Sequence, residues 1–287
     1  MAKELGRFIA AGRTADVYGW GANSVLKLFR ESVDLATIKH EHRSSVAVYK
    51  AGAPAPEPGE LVSMGARYGI EYERIEGVPL SHAIGSDPSK LIYYAELMAD
   101  THLRVNSIEN VEGLPARHAI LAIRLRDETV LDAEAKRCVL SRLHELGTGT
   151  NLCHGDFHPE NILLRDNTVT VLDWTVASSG DALSDLAQTV LILSGYVEAV
   201  RSRSTEAVLH QFIQRYLLRR QESSHILAGN YREWIPVLAA ARLSDGIEEQ
   251  KEWLVDQARS LLSQNHTSKS LIPDAQSPSH SSTADES

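Results

Sequence analysis

The chain has little cysteine, no excess of basic residues and no long apolar run. Its two cysteines, Cys138 and Cys153, make neither a disulfide framework nor a metal-ligand spacing, so a reducing, cytoplasmic setting is expected. Lys and Arg number 29 against 38 Asp and Glu, a net charge of −9. Phosphate backbones are held by clustered cations, so this balance argues against nucleic acid as the main partner and suits a cationic small molecule. No stretch reaches the roughly 18 apolar residues of a membrane span, so no membrane partner is expected. The Met1 to Gly6 segment carries both signs of charge without the apolar core of a secretory signal. No internal repeat is visible. What is present is an ordinary globular composition, 43% hydrophobic and 23% charged, in a chain of 287 residues, long enough for two lobes.

Three short β-like runs open the chain, Phe8 to Ala11, Ala15 to Trp20 and Ser24 to Phe29, separated by Gly12 and by Gly21-Ala22-Asn23. Apolar residues at spacings of three and four then predict a helix from Val33 to Ala51, ended by Gly52 and by Pro54 and Pro56. Two further strands are expected over Glu60 to Met64 and Gly69 to Ile75. The first 75 residues thus read as a small sheet with one helix. Beyond Glu76-Gly77 the pattern is mostly helical: from Asp87-Pro88 through His102, Leu131 to Leu146, Leu183 to Ser194, Thr205 to Arg220, Arg232 to Leu243 and Gly246 to Leu262. From Ser263 to Ser287 the chain is rich in Ser and poor in large apolar residues, and a disordered tail is expected. The expected division is residues 1–75, 76–262 and 263–287.

The informative stretch is His154-Gly155-Asp156-Phe157-His158-Pro159-Glu160-Asn161, followed by Asp173 at the end of an apolar strand. Phosphoryl transfer from ATP needs a carboxylate that takes the proton of an acceptor hydroxyl, and separate oxygen ligands that hold magnesium against the phosphates. Asp156 suits the first task, Asn161 and Asp173 the second. Strand-like runs on both sides, Ile162 to Leu164 and Val169 to Leu172, set the group apart from an acid and an amide in a chance turn. His154 reads as a brace of the loop, and His158 and Glu160 face either the acceptor or solvent.

Such a site also needs a cation on the nucleotide phosphates. Lys27 lies inside an apolar strand, where an unpaired charge is costly, and Glu41 in the following helix is the best-placed carboxylate. Read alone, Lys27 is equally a strand-edge lysine, and Glu41 with its charged neighbours a solvated helix face. Residues 11–18, with Gly12 and Thr14, would cover the phosphates through backbone N–H groups, though one glycine also suits a plain hairpin turn. Adenine would bond main-chain groups near Glu73 and Ile75, where the sheet ends.

With these parts in order, the chain resembles the aminoglycoside phosphotransferase and choline kinase-like family. The residues that carry the likeness are His154 to Leu163, Leu172-Asp173-Trp174, the Gly180-Asp181 turn leading to Asp185-Leu186-Ala187, and Glu73 to Gly77, within about residues 7 to 262. The resemblance implies an α+β, bilobal protein-kinase-like fold: a small antiparallel-sheet N-lobe with one helix, and a larger, mostly helical C-lobe. It implies catalysis by Asp156, magnesium on Asn161 and Asp173, Lys27 on the phosphates held by Glu41, and a small-molecule acceptor. The alternatives are a silent nucleotide-binding pseudokinase and a kinase acting on protein. Trp174 and Thr175, where protein kinases carry Phe and Gly, and the missing Ala-Pro-Glu segment argue against the last. Asp185 is expected to brace the catalytic loop or cap its helix. Asp245, Glu248, Glu249, Glu252 and Asp256, with Trp253 among them, would either hold a cationic acceptor or form a solvated helix face.

Overall fold

The computed structural model describes residues 4–166, 168–199, 203–223 and 230–263. Five antiparallel strands open it: β1 (Leu5–Ala11), β2 (Ala15–Trp20), β3 (Ser24–Phe29), β4 (Pro58–Met64) and β5 (Arg67–Glu73), in the order β1-β2-β3-β5-β4. Between β3 and β4 runs α1 (Leu35–Lys50), whose first turn is capped by the Asp34 carboxylate on the Thr37 N–H. The period of two in β3 decides what reaches the helix. Leu26 and Leu28 pack with Trp20 on one face, whereas Phe29 packs on the other with Ala15, Ile38 and Ile70. Lys27 shares the Phe29 face and therefore points at α1.

The remainder is mostly helical. The chain continues through β6 (Val78–Pro79), α2 (Leu80–Ser86), α3 (Leu91–Asn106), α4 (Arg117–Asp127) and α5 (Ala133–Glu145). Then come β7 (Asn151–Cys153), β8 (Ile162–Arg165), β9 (Thr168–Val171) and β10 (Ser178–Gly180). The last helices are α6 (Ala182–Ala199), α7 (Arg203–Ser223), α8 (Ile235–Arg242) and α9 (Lys251–Ser263). One large apolar cluster fills this part, with α6 buried over most of its length. Among the described residues, no helix is long and apolar enough to cross a membrane.

Several boundaries differ from the sequence reading. Both α2 and α4 were not anticipated. The helix expected from Asp87-Pro88 opens with a 3-10 turn, Pro88–Lys90, and 3-10 turns at Tyr231–Trp234, Leu243–Asp245 and Glu248–Gln250 break up the two last expected helices. Strand β5 ends at Glu73, so Ile75 lies in the connection to β6. Helix α9 runs to Ser263, the first residue of the expected tail, and the rest of that tail, residues 264–287, lies outside the described residues.

Candidate active site

Lys27 is held from both sides. Its Nζ lies 2.7 Å from Glu41 Oε1 and 3.0 Å from Asp173 Oδ1. Burial alone would lower the Lys27 pKa, but Asp173 and Glu41 outweigh it and hold the ammonium above its ordinary value. Glu41 is 2% exposed, on the α1 face that buries Ile38, Ser44, Ser45 and Val48. Its carboxylate also accepts from Tyr72 Oη at 3.3 Å, and Ser45 Oγ lies 3.0 Å from the same hydroxyl. The solvated-face reading of Glu41 is thereby removed.

The catalytic stretch sits between β7 and β8. Asn161 Nδ2 donates to the Asp156 backbone carbonyl at 2.9 Å and to Asp156 Oδ2 at 3.2 Å, which leaves Asn161 Oδ1 as its open ligand atom. The Leu172 N–H donates to the Asn161 carbonyl at 2.8 Å, which sets Asp173 beside Asn161. Asp173 adopts φ 59°, the left-handed region that few residues other than Gly, Asn and Asp enter. Thr175 Oγ1 donates to Asp173 Oδ1 at 2.5 Å. Burial works to raise the Asp173 pKa, but the Lys27 charge and the Thr175 hydroxyl bring it down to about 2. Asp156 is likewise lowered: burial opposes ionisation, and the His158 hydrogen bond with the charges of His158, His154 and Arg242 favours it. Both carboxylates are therefore ionised at neutral pH. An ionised Asp173 and the Asn161 carbonyl oxygen are hard donors of the kind magnesium takes, with phosphate oxygens to complete its shell. The residues fit that ion.

Behind the loop, Asp185 accepts the N–H groups of His154 at 2.8 Å and Gly155 at 2.7 Å, together with His102 Nε2 at 2.8 Å and Asn106 Nδ2 at 3.0 Å. Burial would raise its pKa, but His102, Arg117 and His154 drive it far below the carboxylate range. His102 Nδ1 faces Tyr216 Oη at 2.6 Å, and its ring stacks on Phe157 at 4.1 Å. His154 Nε2 lies 2.9 Å from the Leu172 carbonyl and its Nδ1 accepts the Asp156 N–H at 3.1 Å, which fixes the loop against the strand that leads to Asp173. Gly155, at φ +81°, is required: a Cβ there would lie 2.9 Å from the Val176 carbonyl.

The Gly12 to Thr14 turn is held by a residue the sequence did not single out. Arg30 donates from Nε to the Arg13 carbonyl and from Nη2 to the Gly12 carbonyl, both at 3.1 Å, and its N–H bonds the Thr14 carbonyl at 2.9 Å. The Gly12 N–H is itself spent on the Ala15 carbonyl at 2.8 Å, so among the described residues the turn has the Arg13 and Thr14 N–H groups to offer. At the other end of the cleft the Glu73 N–H is spent on the Glu57 carbonyl at 2.8 Å. Among the described residues, Ile75 has no backbone partner.

On the acceptor side His158 is 9% exposed and turned inward, 3.4 Å from Asp156 Oδ2, while Glu160 faces solvent. Tyr196, not read from sequence, meets the His158 ring edge-on at 6.0 Å. Trp253 is buried in the core, so its face is not open to a cation, and Glu248, Glu249, Glu252 and Asp256 are exposed. Tyr231 and Trp234 are core residues.

The family described as phosphotransferase enzyme family, APH, matches residues 6–226. The chain is similar to the apo form of a thermostable mutant of aminoglycoside phosphotransferase APH(4)-Ia, at 17% identity and TM-score 0.65, covering 92% of this chain and 96% of that one. It is similar to a choline/ethanolamine kinase family protein from Mesorhizobium loti, at 14% identity and TM-score 0.56, over 90% and 88%. It also resembles aminoglycoside phosphotransferase APH(3'')-Id from Streptomyces rimosus, solved with ADP and streptomycin, at 18% identity and TM-score 0.51, over 80% and 92%. No curated protein sequence matches the chain. At these identities the structural likenesses establish the bilobal protein-kinase-like fold.

Proposed function

The chain belongs to the phosphotransferase enzyme family, and from that membership we propose that it is an ATP- and magnesium-dependent kinase that transfers the γ-phosphoryl group to a hydroxyl of a small molecule. This is the family expected from the His154 to Leu163 and Leu172 to Trp174 motifs. The observation that carries the reading is the joining of an ion pair and a hydrogen-bonded pair: Lys27 with Asp173 across the cleft, and Asp156 with the Asn161 amide beside it. ADP in the Streptomyces rimosus relative supports nucleotide use. Residues 1–75 are assigned to nucleotide binding and 76–262 to catalysis and acceptor binding.

Lys27, held by Glu41, neutralises the α and β phosphates, the Gly12 to Thr14 turn covers them with the N–H groups of Arg13 and Thr14, and the Glu73 carbonyl and the Ile75 backbone take the adenine. Asn161 and Asp173 would hold magnesium, which would supply charge neutralisation on the phosphates when bound. Asp156 accepts the hydroxyl proton as the acceptor oxygen bonds the γ-phosphorus and the bond to the ADP oxygen breaks. An amino-bearing alcohol or sugar, aminoglycosides included, is the acceptor suggested by the relatives, and product mass after incubation with such compounds reads it directly. Asp156→Asn is expected to cut turnover by at least ~10³-fold while ADP still binds, since it removes the base and leaves the phosphate contacts. Undiminished turnover would reject Asp156 as the base.

A further inference from the structure

The acceptor end of the cleft holds more positive charge than the transfer itself uses. Arg242 ends α8, its side chain is 11% exposed, and the partner recorded for it among the described residues is Asp245, 3.8 Å away. The Asp245 carboxylate is already bonded by Arg124, which also donates to Ser244 Oγ at 3.1 and 3.0 Å. Arg13, at the tip of the nucleotide turn, reaches the Asp245 backbone carbonyl at 3.5 Å. Two guanidinium groups from separate helices thus share the Asp245 carboxylate, and a third, Arg13, meets the backbone carbonyl of the same residue. A guanidinium has five N–H donors in a flat fork, so Arg242 has donors to spare.

Through Asp245, which meets Arg13 at the tip of the nucleotide turn, Arg242 is placed at the cleft, and its charge favours the ionised forms of Asp156 and Tyr196. Between those two sits His158, whose Nδ1 is buried without a hydrogen-bond partner among the described residues. A buried nitrogen left open on a ring 3.4 Å from the Asp156 carboxylate marks a place where a polar ligand completes the bonding. Of the acidic cluster read from the sequence as a cation site, Asp245 is engaged, and Glu248, Glu249, Glu252 and Asp256 are exposed around a buried Trp253.

We propose that Arg242 binds an anionic group, carboxylate or phosphate, on the acceptor, so that the substrate is a hydroxylated small anion or zwitterion and not a polycation. This rests on the phosphotransferase reading above and narrows its acceptor: amino alcohols and sugars that also carry an anion remain, and aminoglycosides do not. The anion on Arg242 fixes one end of the molecule, and its hydroxyl reaches Asp156. The anionic group itself is unchanged by the transfer.

The test uses matched hydroxyl compounds with the full chain, ATP and magnesium, read by product mass and initial rates: glycerate against glycerol, serine against 2-aminoethanol, and glucuronate or glucose 6-phosphate against glucose. Gentamicin serves as the polycation. The carboxylate and phosphate arms separate the two sources of negative charge. In at least one pair the anionic member is expected to show kcat/KM ten-fold or more above its partner. Arg242→Gln is expected to narrow that gap mainly through acceptor KM, and Arg242→Lys to restore part of it. Preference for neutral compounds or gentamicin overturns the proposal, as does an Arg242→Gln variant that raises only the KM for ATP. Asp156-dependent ATP hydrolysis with no transfer to any anion also counts against it and leaves the kinase reading standing. No Asp156-dependent ATP turnover of any kind defeats the kinase reading itself.

Discussion

Asp185 accepts four hydrogen bonds on two oxygens and touches neither nucleotide nor acceptor. An amide in its place has one acceptor oxygen and would turn N–H against N–H toward the loop. Asp185→Asn is therefore expected to cost ~3 kcal/mol of stability and to lower kcat far more than it weakens ADP binding. Urea unfolding with parallel kinetics checks both. The same network sets a pH dependence. Burial, aided by the Arg220 charge, lowers the His102 pKa from 6.5 to about 4 in spite of Asp185. The neutral ring suits its bonds, donating from Nε2 to Asp185 and accepting the Tyr216 hydroxyl on Nδ1. Between pH 6.5 and 4 the unfolded chain then takes up a proton that the folded one refuses, so stability falls as pH falls through that window. From His102 alone the loss at pH 5 relative to pH 8 is about 2 kcal/mol, and chemical denaturation at the two pH values reads it. Asp156, Asn161 and Asp173 were legible in the sequence because the chemistry demands those types close together along the chain. His102 was not, because its partner Asp185 is 83 positions away and a buried histidine has no local signature.

The nucleotide turn shows what a single element can hide. One glycine made it look like any hairpin, yet it is held from outside by Arg30, whose side chain is about half exposed. Arg30→Met removes two hydrogen bonds to the Gly12 and Arg13 carbonyls and a half-exposed ion pair with Asp16 at 3.5 Å, and keeps the backbone bond to Thr14. Because the bonds lie on an exposed turn, global stability is expected to change by less than ~0.5 kcal/mol. The KM for ATP is expected to rise about ten-fold, the equivalent of ~1.4 kcal/mol for two bonds. A large drop in melting temperature with unchanged KM would make Arg30 a fold residue instead. Helix α1 was read nearly to its ends because its apolar face repeats at three and four and Gly52, Pro54 and Pro56 stop it, while the Asp34 cap that sets its first turn went unread. Helix α4 escaped for the opposite reason. It buries only Arg117, Leu121 and Leu125, and Ala116 at its N-cap supplies no side-chain bond. A thin stripe with no cap leaves no helical signal to read.

At the scale of the molecule, the sheet and the helical part are joined unevenly. The apolar clusters of the sheet stand apart from the large C-terminal cluster, which takes in Val48 and Ala53 from the end of α1 and the turn after it. The Val171 N–H bonds the Pro54 carbonyl at 2.6 Å close to the same place. The far end of α1 is thus tied to the C-lobe, while Lys27 with Asp173 bridges the mouth of the cleft. Replacing Lys27 by Met removes that bridge and leaves both cores intact. Without nucleotide, Lys27→Met is expected to speed amide exchange in β1 to β3 and the Gly12 to Thr14 turn, with α6 and α8 unchanged. A ligand that binds only the folded chain stabilises it by ~2.7 kcal/mol at one hundred times its Kd. ADP with magnesium at that concentration for the wild type should therefore raise its melting temperature by several degrees. Lys27→Met, with the phosphate contact gone, should gain much less from the same mixture. An equal gain in both chains would mean that Lys27 does not meet the phosphates. Faster exchange spread evenly over both lobes would mean that the bridge supports the whole fold and not the closure of the cleft.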